Sequence, residues 1–168
     1  MTARAPIRPL RPSESFHSIV NPSDYPSIGC FWTWAFSDLA SNTVRGVLAE
    51  FLVGTALGVD FSHTREAWDD FDLLTLDGIR VEVKATGYLQ AWESKEAVPT
   101  FKGLRGMALT EDKSLYQGES RVRADVFVFC VHTERNPEFY DPLLIDAWEF
   151  YVVPADVIDK TNQKTIRL

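Results

Sequence analysis

Cysteine is scarce: Cys30 and Cys130 are the only two in 168 residues. Two thiols in a chain of this length point to neither a disulfide framework nor a four-cysteine zinc site, and a reducing cytoplasm is the expected setting. Histidine is scarce as well. His17, His63 and His132 lie far apart with no His-x-x-x-His pair, so a zinc hydrolase is not expected. No apolar run approaches the roughly 20 residues of a membrane helix. No apolar stretch follows Met1 in the manner of a signal peptide. Neither G-x-x-x-x-G-K-[ST] nor G-x-G-x-x-G occurs, so a nucleotide-binding loop is not expected, and G-x-S-x-G is missing too. Positive charge is in deficit, with 17 Lys and Arg against 24 Asp and Glu, for a net charge of -7. The pI is near 4.9. That counts against a dedicated high-affinity nucleic-acid binder. It leaves room for an enzyme that meets its substrate through one local patch, because the distribution of charge matters more than its sum.

What is present is the balance of a globular domain: 45% apolar and 24% charged residues. The length suits one domain. Residues 1–30 read as an arm, interrupted by Pro6, Pro9, Pro12, Pro22 and Pro26 and made basic by Arg4, Arg8 and Arg11. The plain expectation is a solvated arm, the alternative a contact with phosphate or a second subunit. Residues 31–168 form the expected α/β domain. Its first landmark is the aromatic run 31–36, expected to anchor the arm to the core.

Val44, Val47, Leu48, Phe51, Leu52 and Thr55 recur at helical spacing, so a helix is expected over residues 42–57. Ser41, Asn42 or Thr43 can cap its start and Gly58 can end it. On ideal geometry Glu50 falls just outside the apolar stripe, with Gly46 and Gly54 one turn to either side. An acidic stretch, 66–72, leads into a short strand at 71–75. Asp77-Gly78 is a hairpin signal, and a second strand is expected at 79–85. Residues 86–100 read as a loop with a short helix. Residues 95–123 carry Lys95, Lys102, Arg105, Lys113, Arg121 and Arg123, the most basic segment after the arm. A buried strand follows at 125–131, holding Cys130 as an inert thiol. A further strand is expected at 148–153, a helical turn at 154–159 and a last strand at 165–168.

The chemistry concentrates in Asp72 and Glu82-Val83-Lys84. Alternation in a strand puts Glu82 and Lys84 on one face and Val83 on the other. The hairpin can bring Asp72 near Glu82. Adjacent carboxylates repel unless a cation sits between them, and Asp and Glu oxygens completed by water suit Mg²⁺ or Mn²⁺. The Val83 carbonyl is a further candidate ligand. A lysine beside such a metal can orient or deprotonate water and steady charge on a phosphoryl group. A bare Glu-x-Lys is ordinarily a solvated face with an ion pair. Here a helix with an edge carboxylate, an acid on a first strand and a tight hairpin precede it.

This arrangement resembles the PD-(D/E)xK nuclease superfamily, in a bacterial-type branch, over residues 42–131. The matching residues are Glu50, Asp72 and Glu82-Val83-Lys84, although Phe71 stands where many members have proline. The resemblance implies a restriction-endonuclease-like fold, a mixed β-sheet flanked by helices on an α-β-β-β-α-β core. It implies a metal held by Asp72 and Glu82, a water assisted by Lys84, support from Glu50, and a peripheral role for Gln90 near substrate. It implies a Mg²⁺-dependent nuclease whose partner is nucleic acid, DNA ahead of RNA. Two sites are commonly needed to cut both strands, which makes a homodimer an expectation too. The competing reading is a non-catalytic binding or assembly module of the same fold.

Overall fold

The computed structural model describes residues 8–20, 24–65, 70–90, 97–109 and 116–168. Arg4, residues 66–69 of the acidic stretch, Lys95 and Lys113 of the expectations above therefore lie outside the described residues. Backbone contacts divide the chain into two compact units. One comprises residues 1–38 with 61–65, the other residues 39–60 with 66–168.

In the first unit Arg8 grips Glu14 through two bonds of 2.9 and 2.6 Å. One of the arm's arginines is thus already spoken for. Helix α1 runs Ile28–Phe36, capped by Ser27, whose hydroxyl accepts from the Cys30 N–H. Gly29 is required there: a Cβ would stand 2.8 Å from the Pro12 carbonyl oxygen, which its own N–H meets at 2.9 Å. The aromatic run lies on this helix, yet no residue of α1 is buried and Trp34 is 83% exposed. The rings pack on each other instead, Phe31 with Trp34 and Phe36 at 6.3 and 6.0 Å. Within this unit the run therefore forms no buried core.

The second unit begins with α2, Asn42–Ala56, with Ser41 accepting from the Val44 N–H and Gly58 at a positive φ of 67° just beyond the end. Its buried residues are Arg45, Ala49, Glu50, Val53 and Gly54. The buried face is therefore rotated from the expected stripe, and Val47 and Phe51 stay exposed. Small side chains at Ala49 and Val53 let the helix lie close on a sheet, which a face built on Phe51 would hold off.

That sheet has the order β1-β2-β6-β7. Strand β1 is Leu73–Leu74 and β2 is Arg80–Gly87, joined by the turn at Asp77-Gly78, where Gly78 takes a φ of 81°. Strand β6 is Val126–His132 and β7 is Trp148–Pro154. β2 pairs parallel with β6, while β1–β2 and β6–β7 are antiparallel, so the sheet is mixed. β6 lies between two neighbours and is buried on both faces, which explains its unbroken apolar sequence. Burial of Cys130 pushes its thiol up to about 12, as expected of an inert thiol.

The crossover from β2 to β6 carries β3, Thr100–Lys102, and an antiparallel hairpin of β4, Gly106–Leu109, and β5, Tyr116–Arg121. No helix lies in it among the described residues. Helix α3, Ala155–Thr161, follows β7 with Pro154 as its N-cap. Strand β8, Thr165–Arg167, pairs with β3 inside the chain. One apolar cluster joins Ala49 and Val53 of α2 to Val81, Val83, Val128, Cys130 and Trp148. A second, on the other face, joins Phe127, Phe129 and Val131 to Phe101, Leu104, Ala155 and Ile158. The fold class is thus α/β, three helices with a mixed sheet.

Candidate active site

Val81 and Val83 face α2, so alternation along β2 turns Glu82 and Lys84 to the opposite face. The parallel register sets Glu82 beside Phe127 and Lys84 beside Phe129. The Lys84 ammonium donates to Glu82 Oε1 at 2.5 Å, with the two side chains only 23% and 18% exposed. Removing such a pair from water costs several kcal/mol per ion before mutual attraction offsets it.

Asp72 precedes β1 on the edge of the sheet. Its backbone N–H donates to the Val81 carbonyl at 3.1 Å. Its carboxylate accepts from the Val83 N–H at 2.7 Å. Within a strand the N–H and C=O of one residue leave on the same side. The Val83 carbonyl therefore opens toward the edge where Asp72 sits. Burial pushes the Asp72 carboxyl up to about 6. The Glu82 and Glu50 charges add to that rise, and the Val83 N–H and Lys84 oppose it. Asp72 thus senses the other three groups named from the sequence.

They do not all converge. Glu50 is 8% exposed, buried rather than at the rim of the helix face as expected. It rides on α2, on the opposite side of the sheet from Glu82. Among the described residues no group of three or more His, Cys, Asp or Glu side chains is placed to hold a metal ion. The donor set at the sheet edge is Asp72, Glu82 and the Val83 carbonyl, and the Glu50 charge is felt at Asp72.

Asp72 and Glu82 open into a cleft of about 170 Å³. Asp70, Arg121 and Arg123 line the same cleft, with Gly106 and Met107 of β4. Gln90 does not. It lines a neighbouring cleft of about 360 Å³ with Asn42, Thr86, Thr100 and Lys102. Its amide donates to the Gly87 carbonyl at 2.9 Å, and its Oε1 is buried with no partner among the described residues. Of the basic segment, Arg105 is tied to Asp159 at 2.6 Å and faces neither cleft. Arg45 was not singled out from sequence. It is buried, donating to the Ala40 carbonyl and, at 3.0 Å, to that of Leu89, and so ties the start of α2 to the turn holding Gln90. His132 is a core residue. It is fully buried between Tyr140 and Trp148.

The family model described as bacteriophage T4 endonuclease IV matches residues 33–168. The chain belongs to the bacteriophage T4 endonuclease IV family. The match spans all of α2, the sheet and both clefts, so the Asp72–Glu82–Lys84 constellation lies within the part that defines an endonuclease family. No curated protein and no solved structure matches the chain. No helix among the described residues is long and apolar enough to cross a membrane.

Proposed function

We propose that the protein is a metal-dependent endonuclease of PD-(D/E)xK type that hydrolyses DNA phosphodiester bonds at Asp72, Glu82 and Lys84. The single observation that carries this reading is the Glu82–Lys84 pair on the cleft face of β2, across an edge from a carboxyl raised to about 6. Exchanging a buried ion pair for apolar residues is commonly neutral or stabilising by about 1–4 kcal/mol. A pair kept there, among phenylalanines, is better explained by chemistry than by stability. Family membership supports an endonuclease.

The donor set fits a hard divalent cation. Mg²⁺ keeps several waters and is held by one or two carboxylates, so Asp72, Glu82 and the Val83 carbonyl suffice without Glu50 as a direct ligand. Bound there, Mg²⁺ or Mn²⁺ would lower the pKa of water and offset charge on the phosphate. The chain's own residues do the rest. Asp72 and Glu82 fix the donor geometry, and the Val83 N–H holds Asp72 in place. Lys84 keeps its ammonium beside Glu82, where it orients the attacking water and meets charge growing on the phosphoryl oxygens. Glu50 keeps the electrostatic potential at Asp72 negative. A restriction-endonuclease-like core is the fold this reading implies. A homodimer would supply the second site for cutting both strands.

A non-catalytic module has one observation in its favour, the lack of a three-carboxylate group among the described residues. Metal binding separates the two. Mn²⁺ should raise the melting temperature of the parent and leave Glu82→Ala unmoved. An equal rise in both, or in neither, would speak for the module.

A further inference from the structure

The cleft in front of Asp72 and Glu82 has a basic wall. Arg121 ends β5, and Arg123 follows two residues later. The Arg123 side chain is 12% exposed, so its charge acts through little water. Its Nε donates to the Gly106 carbonyl at 3.3 Å and its Nη1 to Asp70 Oδ2 at 3.2 Å. Neither bond uses Nη2. The Asp70 contact is longer than the 2.6 Å of the Arg80–Asp125 and Arg105–Asp159 pairs. Among the described residues Arg123 is therefore oriented by its neighbours without being saturated by them. A guanidinium presents a planar fork that matches phosphate oxygens bidentately. A protein of net charge -7 needs such a local feature to hold a polyanion near its own carboxylates.

We propose that Arg121 and Arg123 hold the phosphodiester backbone of the substrate in this cleft, facing Asp72 and Glu82, with Asp70 orienting Arg123. This deepens the function proposed above and rests on it. Phosphate oxygens enter between the two walls: the arginines take them from the β5 side, and Glu82 lines the β2 side with the Lys84 ammonium bonded to it. Asp70 yields its long contact as the phosphate arrives.

The test uses the Lys84→Ala protein, which binds without cutting, and a short fluorescein-labelled oligonucleotide in single-stranded and duplex form with Mn²⁺. Adding Arg123→Ala or Arg121→Ala should weaken binding about tenfold or more. Each should also flatten the salt dependence of log Kd by about 0.7–0.9. The Mn²⁺-induced rise in melting temperature should persist in both. Arg123→Lys should keep the salt slope and still bind more weakly than the parent, because it loses the fork. If Arg123→Ala does not fold, Arg121→Ala and Arg123→Lys decide. The proposal is overturned if the variants bind with the parent's Kd and slope, including the case where Arg123→Ala only lowers the melting temperature. It is overturned as well if neither probe binds. Failure of the nuclease reading shows elsewhere: in a parent with intact Lys84 that does not cut, or in a Glu82→Ala protein that still responds to Mn²⁺.

Discussion

Asp72 carries two loads, a hydrogen bond from the Val83 N–H and the repulsion of Glu82. Its carboxyl stands at about 6 against an ordinary 3.8. A raised value means that folding favours the protonated acid. The stabilisation is complete below about 3.8 and is lost as pH rises through about 6. Asp72→Asn mimics the protonated form and keeps an acceptor for Val83. In metal-free buffer the variant should match the parent near pH 4 and exceed it near pH 7, by on the order of 1–3 kcal/mol. Equal stability of the two near pH 7 would show that the site holds no strained carboxylate. Asp72, Glu82 and Lys84 were legible in the sequence because a period of two and a tight turn at Asp77-Gly78 place them with little help from the rest of the fold. Glu50 was named as well, but its burial was not visible. The helix turns the face of Ala49 and Val53 inward, with Arg45 and Glu50 beside them, a choice made by the sheet it meets. Arg123 and Asp70 are 53 positions apart, and no local pattern announces a pair at that distance.

Element by element, the sequence spoke most clearly where periodicity and caps agree. Helix α2 starts at its serine cap and stops before a glycine, and the hairpin turns at Asp77-Gly78. Strand β6 is apolar throughout because both its faces are covered. The β4–β5 hairpin was not legible. Its second strand, Tyr-Gln-Gly-Glu-Ser-Arg, has no apolar alternation, and Gly118 takes a φ of 82°. Strand β3, which starts where the expected loop ends, was not foreseen, since it is fixed by distant β8. The cost of a glycine inside a helix can be offset by close approach of another element, and Gly46 is the place to look for it. A Cβ there would meet nothing within 4 Å, so the cost of a helical glycine is not offset by packing. Gly46→Ala should therefore stabilise the protein by about 0.5–1 kcal/mol. The check is a thermal melt, with a rise of a few degrees expected. A lower midpoint would mean that an unseen partner packs on that face.

At the scale of the molecule, the chain places a polar, mixed-charge cleft on one face of a sheet whose other face is sealed by α2. The acidic total and the basic wall are compatible because the arginines are concentrated where the carboxylates need a counterweight. The family assignment covers this whole arrangement. The central claim is hydrolysis of DNA by Glu82 and Lys84 with a divalent metal. It is tested most directly by offering supercoiled plasmid, linear duplex, single-stranded DNA and RNA to the parent, Glu82→Ala and Lys84→Ala with Mg²⁺ or Mn²⁺. The account predicts cleavage of DNA by the parent and none by either variant, with all three folded. Equal cleavage by Lys84→Ala, or no cleavage of any substrate by a parent that binds neither metal, would contradict it.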